Sequence, residues 1–262
     1  MLNAVWMDNL IADHETLRDS YSREGYVLAR NIFSTENLKL LCNSLRSVLE
    51  KGDPAVCNTA GTIEELILQR ESQDHGQVYR AAQSVGSSAA ACQLLGSSQI
   101  FDAICCATGF ATGNLHLMPM YLIIQLPSDD RFDYTWHQDG AYYPWCSDFL
   151  TLWFPVNRST SQGIGTISLI PGSHRSGIRE TDTFLKHGFF KQMQSRLEAG
   201  EEAREKVLDV ELTECCIMSG NTVHRSVANR CPSPRVAGVL RIANLGTQQT
   251  YERERFYCVH KS

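Results

Sequence analysis

The chain has 262 residues, 43% of them hydrophobic and 20% charged, which is length and apolar content enough for a well-formed core. A net charge of −5 without any basic run argues against nucleic acid as a partner, and no run of about 18 apolar residues offers a membrane span. The opening Met1–Asp8 lacks the basic and apolar regions of a signal peptide, and the closing Cys258–Ser262 is not a peroxisomal address, so cytoplasmic residence is expected. Ten cysteines include no Cys-x-x-Cys pair; the doublets Cys105-Cys106 and Cys215-Cys216 sit in apolar runs and read as buried free thiols.

In chain order, the pattern predicts a short helix ending near Gly25 and then an extended Tyr26–Arg30. Ser34-Thr35 can cap the next helix, whose Leu38, Leu41, Leu45, Val48 and Leu49 recur at three- and four-residue steps and which should stop at Gly52–Pro54. Further helices are expected over Thr62–Arg70, Ala81–Leu95 and Ser98–Cys106. After Gly109 the character changes. Asn114–Leu126 is rich in β-formers, Pro127–Asp130 is a turn, and Arg131–His137 alternates. Phe149–Val156, Gly165–Ile170, Val207–Val210, Thr213–Met218 and Ala237–Ala243 complete the strands. Ser176–Gly200 is long and polar without strong strand signals, as lids often are, and the charged Glu198–Lys206 reads as a solvated helix face. A helical block followed by short strands predicts a mainly β fold with flanking helices. One domain over residues 1–262 is expected, mostly helical over 1–108, with a jelly-roll core over 109–245 and a lid-like excursion near 176–206.

The chemistry concentrates in Tyr134-Thr-Trp-His-Gln-Asp-Gly-Ala-Tyr-Tyr143. On a strand, His137 and Asp139 at i and i+2 point to one face. One imidazole and one carboxylate make two-thirds of a facial metal site, and a distant histidine is the usual third member. His224 stands downstream, in Ser219-Gly-Asn-Thr-Val-His-Arg-Ser-Val-Ala-Asn229, with Arg235 following. Two histidines, a carboxylate and an arginine suggest an iron site that also anchors a dicarboxylate.

Gly25-Tyr-Val27, Trp136-His-Gln-Asp139, Pro171-Gly-Ser-His174 and His224-Arg-Ser-Val-Ala-Asn229 with Arg235 stand in the order and spacing of one family. Through them the chain, from about residue 20 to 243, resembles the phytanoyl-CoA dioxygenase family of Fe(II)/2-oxoglutarate-dependent oxygenases. The resemblance implies a double-stranded β-helix (jelly-roll, cupin-like) core with the helical N-terminal region packed on one sheet. It implies Fe(II) on His137, Asp139 and His224, and Arg235 on the distal carboxylate of 2-oxoglutarate with Ser226 adding a hydroxyl. Gln125 and Trp153 are placed more loosely, as cosubstrate or pocket contacts. A guanidinium suits that carboxylate because its planar fork is always charged. Dioxygen is the co-oxidant and ascorbate a supporting reductant. The implied reaction is oxidation of a small organic molecule, foremost hydroxylation in a biosynthetic or tailoring pathway, with 2-oxoglutarate going to succinate and CO2. Desaturation, cyclisation and epimerisation use the same chemistry, and halogenating relatives replace the carboxylate that Asp139 retains here. A cupin-like metal-dependent isomerase and a non-catalytic binding protein are the readings from other classes.

Several residues carry two readings. Trp136, Tyr142 and Tyr143 bracket the motif as substrate pocket or as core. Arg225 is either a rim charge or a selector of anionic substrates. Ser226 can be a plain strand-end hydroxyl, and His174 reads as a turn-stabilising residue rather than a ligand. His14, His75, His116, His187 and His260 have no partner at ligand spacing.

Overall fold

Each N-terminal helix begins where a side chain can satisfy its free amides. In the computed structural model, which describes residues 14–51, 61–131, 133–186 and 190–246, α1 (His14–Glu24) leads into strand β1 (Tyr26–Ala29). Gly25 makes the join at φ +81°, packed so closely on His174 and Thr222 that a Cβ would lie 2.4 Å from His174 Nδ1. Helix α2 (Thr35–Glu50) starts at Ser34, which accepts from Asn37 N, and buries Leu38, Leu41, Leu45 and Leu49. Each such leucine contributes about 1.5–3 kcal/mol of burial. Its expected stop at Gly52–Pro54 lies outside the described residues. Helix α3 (Ile63–Gln73) opens with a reciprocal capping box between Thr62 and Glu65.

The single helix expected over Ala81–Leu95 is two, α4 (His75–Val85) and α5 (Ala89–Leu95). They part at Gly86, where a Cβ would sit 1.8 Å from the carbonyl oxygen of Met120; the break admits the chain on its way into the sheet. Helix α6 (Ser98–Thr108) follows and ends on left-handed Gly109.

The strands are β2 (Leu115–Leu117), β3 (Tyr121–Gln125), β4 (Phe149–Pro155), β5 (Ile167–Leu169), β6 (Thr181–Lys186), β7 (Phe190–Ser195), β8 (Lys206–Val207), β9 (Cys215–Ser219), β10 (His224–Ser226) and β11 (Arg235–Asn244). The larger sheet runs β1-β9-β4-β11-β2 with β3 also on β11, and the smaller runs β10-β5-β8. Every pairing is antiparallel. Strand alternation then sorts the side chains into two layers. Leu150, Leu152 and Phe154 of β4, Cys215 and Ile217 of β9, and Val236, Leu240 and Ile242 of β11 join the leucines of α2 and the apolar faces of α3–α6. Their neighbours Trp153, Cys216, Met218, Ala237 and Val239 face inward against Ile167 and Leu169 of the smaller sheet. Helices thus cover one face of the larger sheet, and the other face closes the jelly roll. Among the described residues, no single helix is long and apolar enough to cross a membrane.

Three local expectations are corrected. Arg131–His137 is not a strand: over its described residues only His137 bridges, to His224, while Tyr134 N and Thr135 N donate to the side chains of Ser226 and Gln192. The polar excursion after Ser176 contains a β-hairpin, β6–β7. The charged Glu198–Lys206 is not an α-helix: it holds the 3-10 turn Glu201–Arg204 and the first residue of β8, and Glu201 is buried, accepting from Arg179 and Arg204 rather than facing solvent.

Candidate metal centre and cosubstrate site

His137, Asp139 and His224 converge so that one ligand atom from each lies within 4.8 Å of the others. No other such group of metal-binding side chains occurs among the described residues. His137 and His224 face each other through a two-way backbone bridge, each amide donating to the other's carbonyl at 2.9 Å, with ring centroids 4.1 Å apart. Although no strand runs through the motif, Gln138 is extended (φ −122°, ψ 125°), and that alone sends His137 and Asp139 to one side. Gln138 goes the other way. Its amide donates to the carbonyls of Gly177 and Asn221 and accepts from Arg179 N, pinning the motif from behind.

The histidine tautomers follow from their partners. His137 Nδ1 lies 2.8 Å from Thr135 O and His224 Nδ1 lies 2.9 Å from Thr222 O. A carbonyl only accepts, so each Nδ1 carries the proton and each Nε2 keeps its lone pair for a metal. Burial, and secondarily the facing His224, pushes the His137 pKa down to about 3. Both rings are suited to bind as neutral ligands.

Asp139 is buried, 2% exposed, and both its oxygens are held. Thr151 Oγ1 donates to Oδ2 at 2.6 Å and Arg241 Nη2 donates to Oδ1 at 3.1 Å. These donors are a cross-strand pair, Thr151 on β4 directly opposite Arg241 on β11, on the inward face. Burial opposes the charge on Asp139, but Arg241 and then the two histidines outweigh it and hold the carboxyl well below its usual range. Arg241 belongs to no motif, yet a lone arginine in the apolar run Val239-Leu-Arg-Ile-Ala243 is a readable signal.

Six residues earlier on the same face of β11 is Arg235, 2% exposed. It donates to Gln125 Oε1 at 2.7 Å and Gly165 O at 3.1 Å, and its guanidinium lies 5.5 Å from the Trp153 ring centroid. Gln125 in turn donates to Asp133 and to Val227 O. Arg235 forms no direct ion pair with a described residue and its hydrogen-bond acceptors are neutral; burial lowers its pKa to about 10, opposed by the charge of Asp133 beyond Gln125. A buried guanidinium among neutral acceptors fits an incoming carboxylate. Ser226 Oγ accepts from Tyr134 N at 3.0 Å, which leaves its proton free to donate. Arg235, Gln125 and Trp153 therefore come together as expected, and the triad's donor set suits iron(II).

The outer residues divide. Tyr142 sets its ring edge-on to His137 at 6.4 Å, with its hydroxyl accepting from Met193 N. Tyr143 stacks on Phe149 at 4.6 Å in a small apolar cluster, and Arg241 lies over its ring at 5.8 Å. Trp136 and Arg225 are not brought to the triad. Trp136 packs with Ile170 and Val223, and Arg225 lies 4.7 Å over its ring while making a forked ion pair with Glu205. Alternation explains both, since each adjoins a metal-facing histidine and points to the opposite side. His174 accepts its expected turn role, its Nε2 lying 3.1 Å from Ser22 O. His116 lies in β2, and the side chains of His14, His75, His187 and His260 lie outside the described residues.

Comparison with known proteins agrees with this geometry. The family model described as "Phytanoyl-CoA dioxygenase (PhyH)" matches residues 21–237. The 1-deoxypentalenic acid 11-beta-hydroxylase of Streptomyces exfoliatus is 25% identical over 232 residues, covering 86% of this chain and 78% of the relative. Among solved structures, the apo form of the non-haem monooxygenase ThoJ superposes with a TM-score of 0.62 at 17% identity, over 87% of this chain and 77% of that one. The non-haem alpha-ketoglutarate-dependent epimerase SnoN from nogalamycin biosynthesis gives 0.60 at 17% identity, over 89% and 83%. At such identities the structural likeness speaks for the fold, which is the jelly roll expected. The family match spans most of the sequence and includes all three triad residues and Arg235, so the chain belongs to the phytanoyl-CoA dioxygenase family and is a non-haem Fe(II)/2-oxoglutarate-dependent oxygenase.

Proposed function

We propose that this protein hydroxylates a small organic molecule in a biosynthetic or tailoring pathway, with His137, Asp139 and His224 holding iron(II) and Arg235 holding the distal carboxylate of 2-oxoglutarate. The observation that carries the reading is the pairing of an intact, buried triad with a buried arginine that forms no direct ion pair among the described residues. When bound, iron(II) with 2-oxoglutarate and dioxygen supplies an oxidant able to attack an unactivated C–H bond. The overall reaction balances as R–H plus 2-oxoglutarate plus O2 giving R–OH, succinate and CO2. One oxygen atom enters the product and the other enters succinate.

The chain's own residues position the components. Thr135 and Thr222 carbonyls fix the two imidazoles with Nε2 forward. Thr151 and Arg241 fix the carboxylate of Asp139. The Arg235 fork and the Ser226 hydroxyl receive the cosubstrate's far end, Gln125 orients Arg235, and Trp153 forms its floor. Retention of Asp139 favours hydroxylation over halogenation. The named activity of the Streptomyces relative supports a small-molecule hydroxylase. The chain works as one catalytic domain in the cytoplasm, without nucleic acid or membrane as partner, and ascorbate keeps the iron reduced.

The test is succinate formation by anaerobically iron-loaded protein on admitting air with 2-oxoglutarate and ascorbate, followed by a substrate screen scored for stimulated succinate and a product heavier by one oxygen. Stimulated turnover that disappears in Asp139→Ala supports the reading. Products lighter by two hydrogens, or isomers, would replace hydroxylation by desaturation or epimerisation.

A further inference from the structure

A cavity of about 160 Å³ lies between α4 and the β3–β11 pair; Arg235 itself is not part of its wall. Its wall includes Val78, Ile123, Val239, Tyr121, Tyr134 and, as its cation, Arg241. The cavity abuts the triad at two points. Arg241 bonds Asp139 at 3.1 Å, and the Tyr134 ring centroid is 5.0 Å from that of His137. Glu71, also on the wall, is committed to Arg131 at 2.7 Å.

Arg241 is incompletely satisfied. Its Nη2 donates to Asp139, the Tyr121 and Tyr143 rings lie beneath its guanidinium at 5.7 and 5.8 Å, and its Nε is buried without a hydrogen-bond partner. An unpartnered buried N–H costs about 1–3 kcal/mol, more on a charged group. The carboxylate that compensates Arg241 is also the triad's acid, so its charge is shared with whatever the triad binds. An incompletely satisfied cation in the wall of a mostly apolar and tyrosine-lined cavity calls for an anion carried on an apolar body.

We propose that Arg241 is the substrate anchor, and that the cavity takes an apolar ring or chain bearing a single carboxylate, which the Arg241 guanidinium receives. Resting on the assignment of the triad as the oxidising centre, this places the apolar body beside Tyr134 and His137 and leaves 2-oxoglutarate to Arg235. It distinguishes two inward arginines of one strand by task.

The experiment is anaerobic equilibrium dialysis of the Fe(II)- and 2-oxoglutarate-loaded protein against radiolabelled cyclohexanecarboxylate and its methyl ester, a probe pair alike in body and different in charge. The acid is expected to bind at least tenfold more tightly than the ester. Arg241→Gln, which also releases Asp139 Oδ1, should weaken the acid at least tenfold more than it weakens the ester. Gln83→Trp, at the cavity wall on α4, should weaken both probes while the Fe(II)–2-oxoglutarate absorption band persists. Equal binding of acid and ester, acid binding indifferent to both variants, or no probe binding while that band is present would overturn the anchor alone. Absence of the band in the wild-type protein would instead overturn the triad assignment beneath it.

Discussion

Arg241 and Thr151 face each other across β11 and β4, and together they hold both oxygens of Asp139, at 3.1 and 2.6 Å. The larger sheet therefore aims the triad's carboxylate, while the histidines are aimed by backbone carbonyls of the loops that bridge to the smaller sheet.

Thr151→Val tests that support. Valine keeps the shape and the strand preference but removes the donor to Oδ2. Supporting hydrogen bonds of this kind are typically worth about 10–100-fold in metal affinity. Competition against a chelator should show iron affinity reduced by that order with the fold retained. Unchanged affinity would mean that Asp139 is held by Arg241 alone.

Arg235→Ala should separate cosubstrate from metal. Saturation of the wild type at about 100 times the dissociation constant stabilises it by about 2.7 kcal/mol, or roughly 5–10 °C in melting temperature for a chain of this size. The variant should lose this 2-oxoglutarate-dependent shift and keep its iron affinity. Equal loss of both would count against the assigned role.

The buried imidazole of His137 gives the metal-free protein a pH dependence of known sign. Its pKa falls from 6.5 in the unfolded chain to about 3 when folded, first through burial and then through His224. Between those values the unfolded state binds more protons, so the stabilisation is fully present above pH 6.5 and is lost as pH falls towards 3. Urea midpoints taken from pH 7 to pH 4 should decline, and His137→Gln should flatten the decline. Parallel slopes would assign it elsewhere.

Glu201 closes the excursion behind the metal motif. It is 3% exposed at its side chain and is gripped by Arg179, itself 7% exposed, whose backbone N–H also reaches Gln138. Breaking a buried pair by removing one partner costs about 3–5 kcal/mol. Glu201→Ala should open residues 176–206 to limited proteolysis while leaving iron bound. Proteolysis unchanged from wild type would show that the hairpin does not depend on this pair.

The triad and Arg235 were legible because their chemistry demands particular residue types at particular separations. The helices of the first half were legible because caps and leucine spacing agree, as at Ser34 and Thr62. What was hidden depends on contacts distant in sequence. The α4–α5 break answers to the carbonyl of Met120. The irregular path through Tyr134 and Thr135 is sustained by the side chains of Ser226 and Gln192 beside the backbone bond from Ser226 N to Tyr134 O. The outward fate of Arg225 and Trp136 follows from alternation once His224 and His137 are known to face inward. Arg241 carries no motif beyond its place in an apolar run, and its task shows only in the fold, where it lies opposite Thr151 and bonds Asp139.

The joint iron and cosubstrate site is tested by an anaerobic titration of 2-oxoglutarate into the Fe(II)-loaded protein, followed by visible absorption. A saturable metal-to-ligand band is predicted, absent in Asp139→Ala and shifted to much higher 2-oxoglutarate in Arg235→Ala. A wild-type protein that binds iron yet develops no band would contradict the joint iron and cosubstrate site on which the account rests.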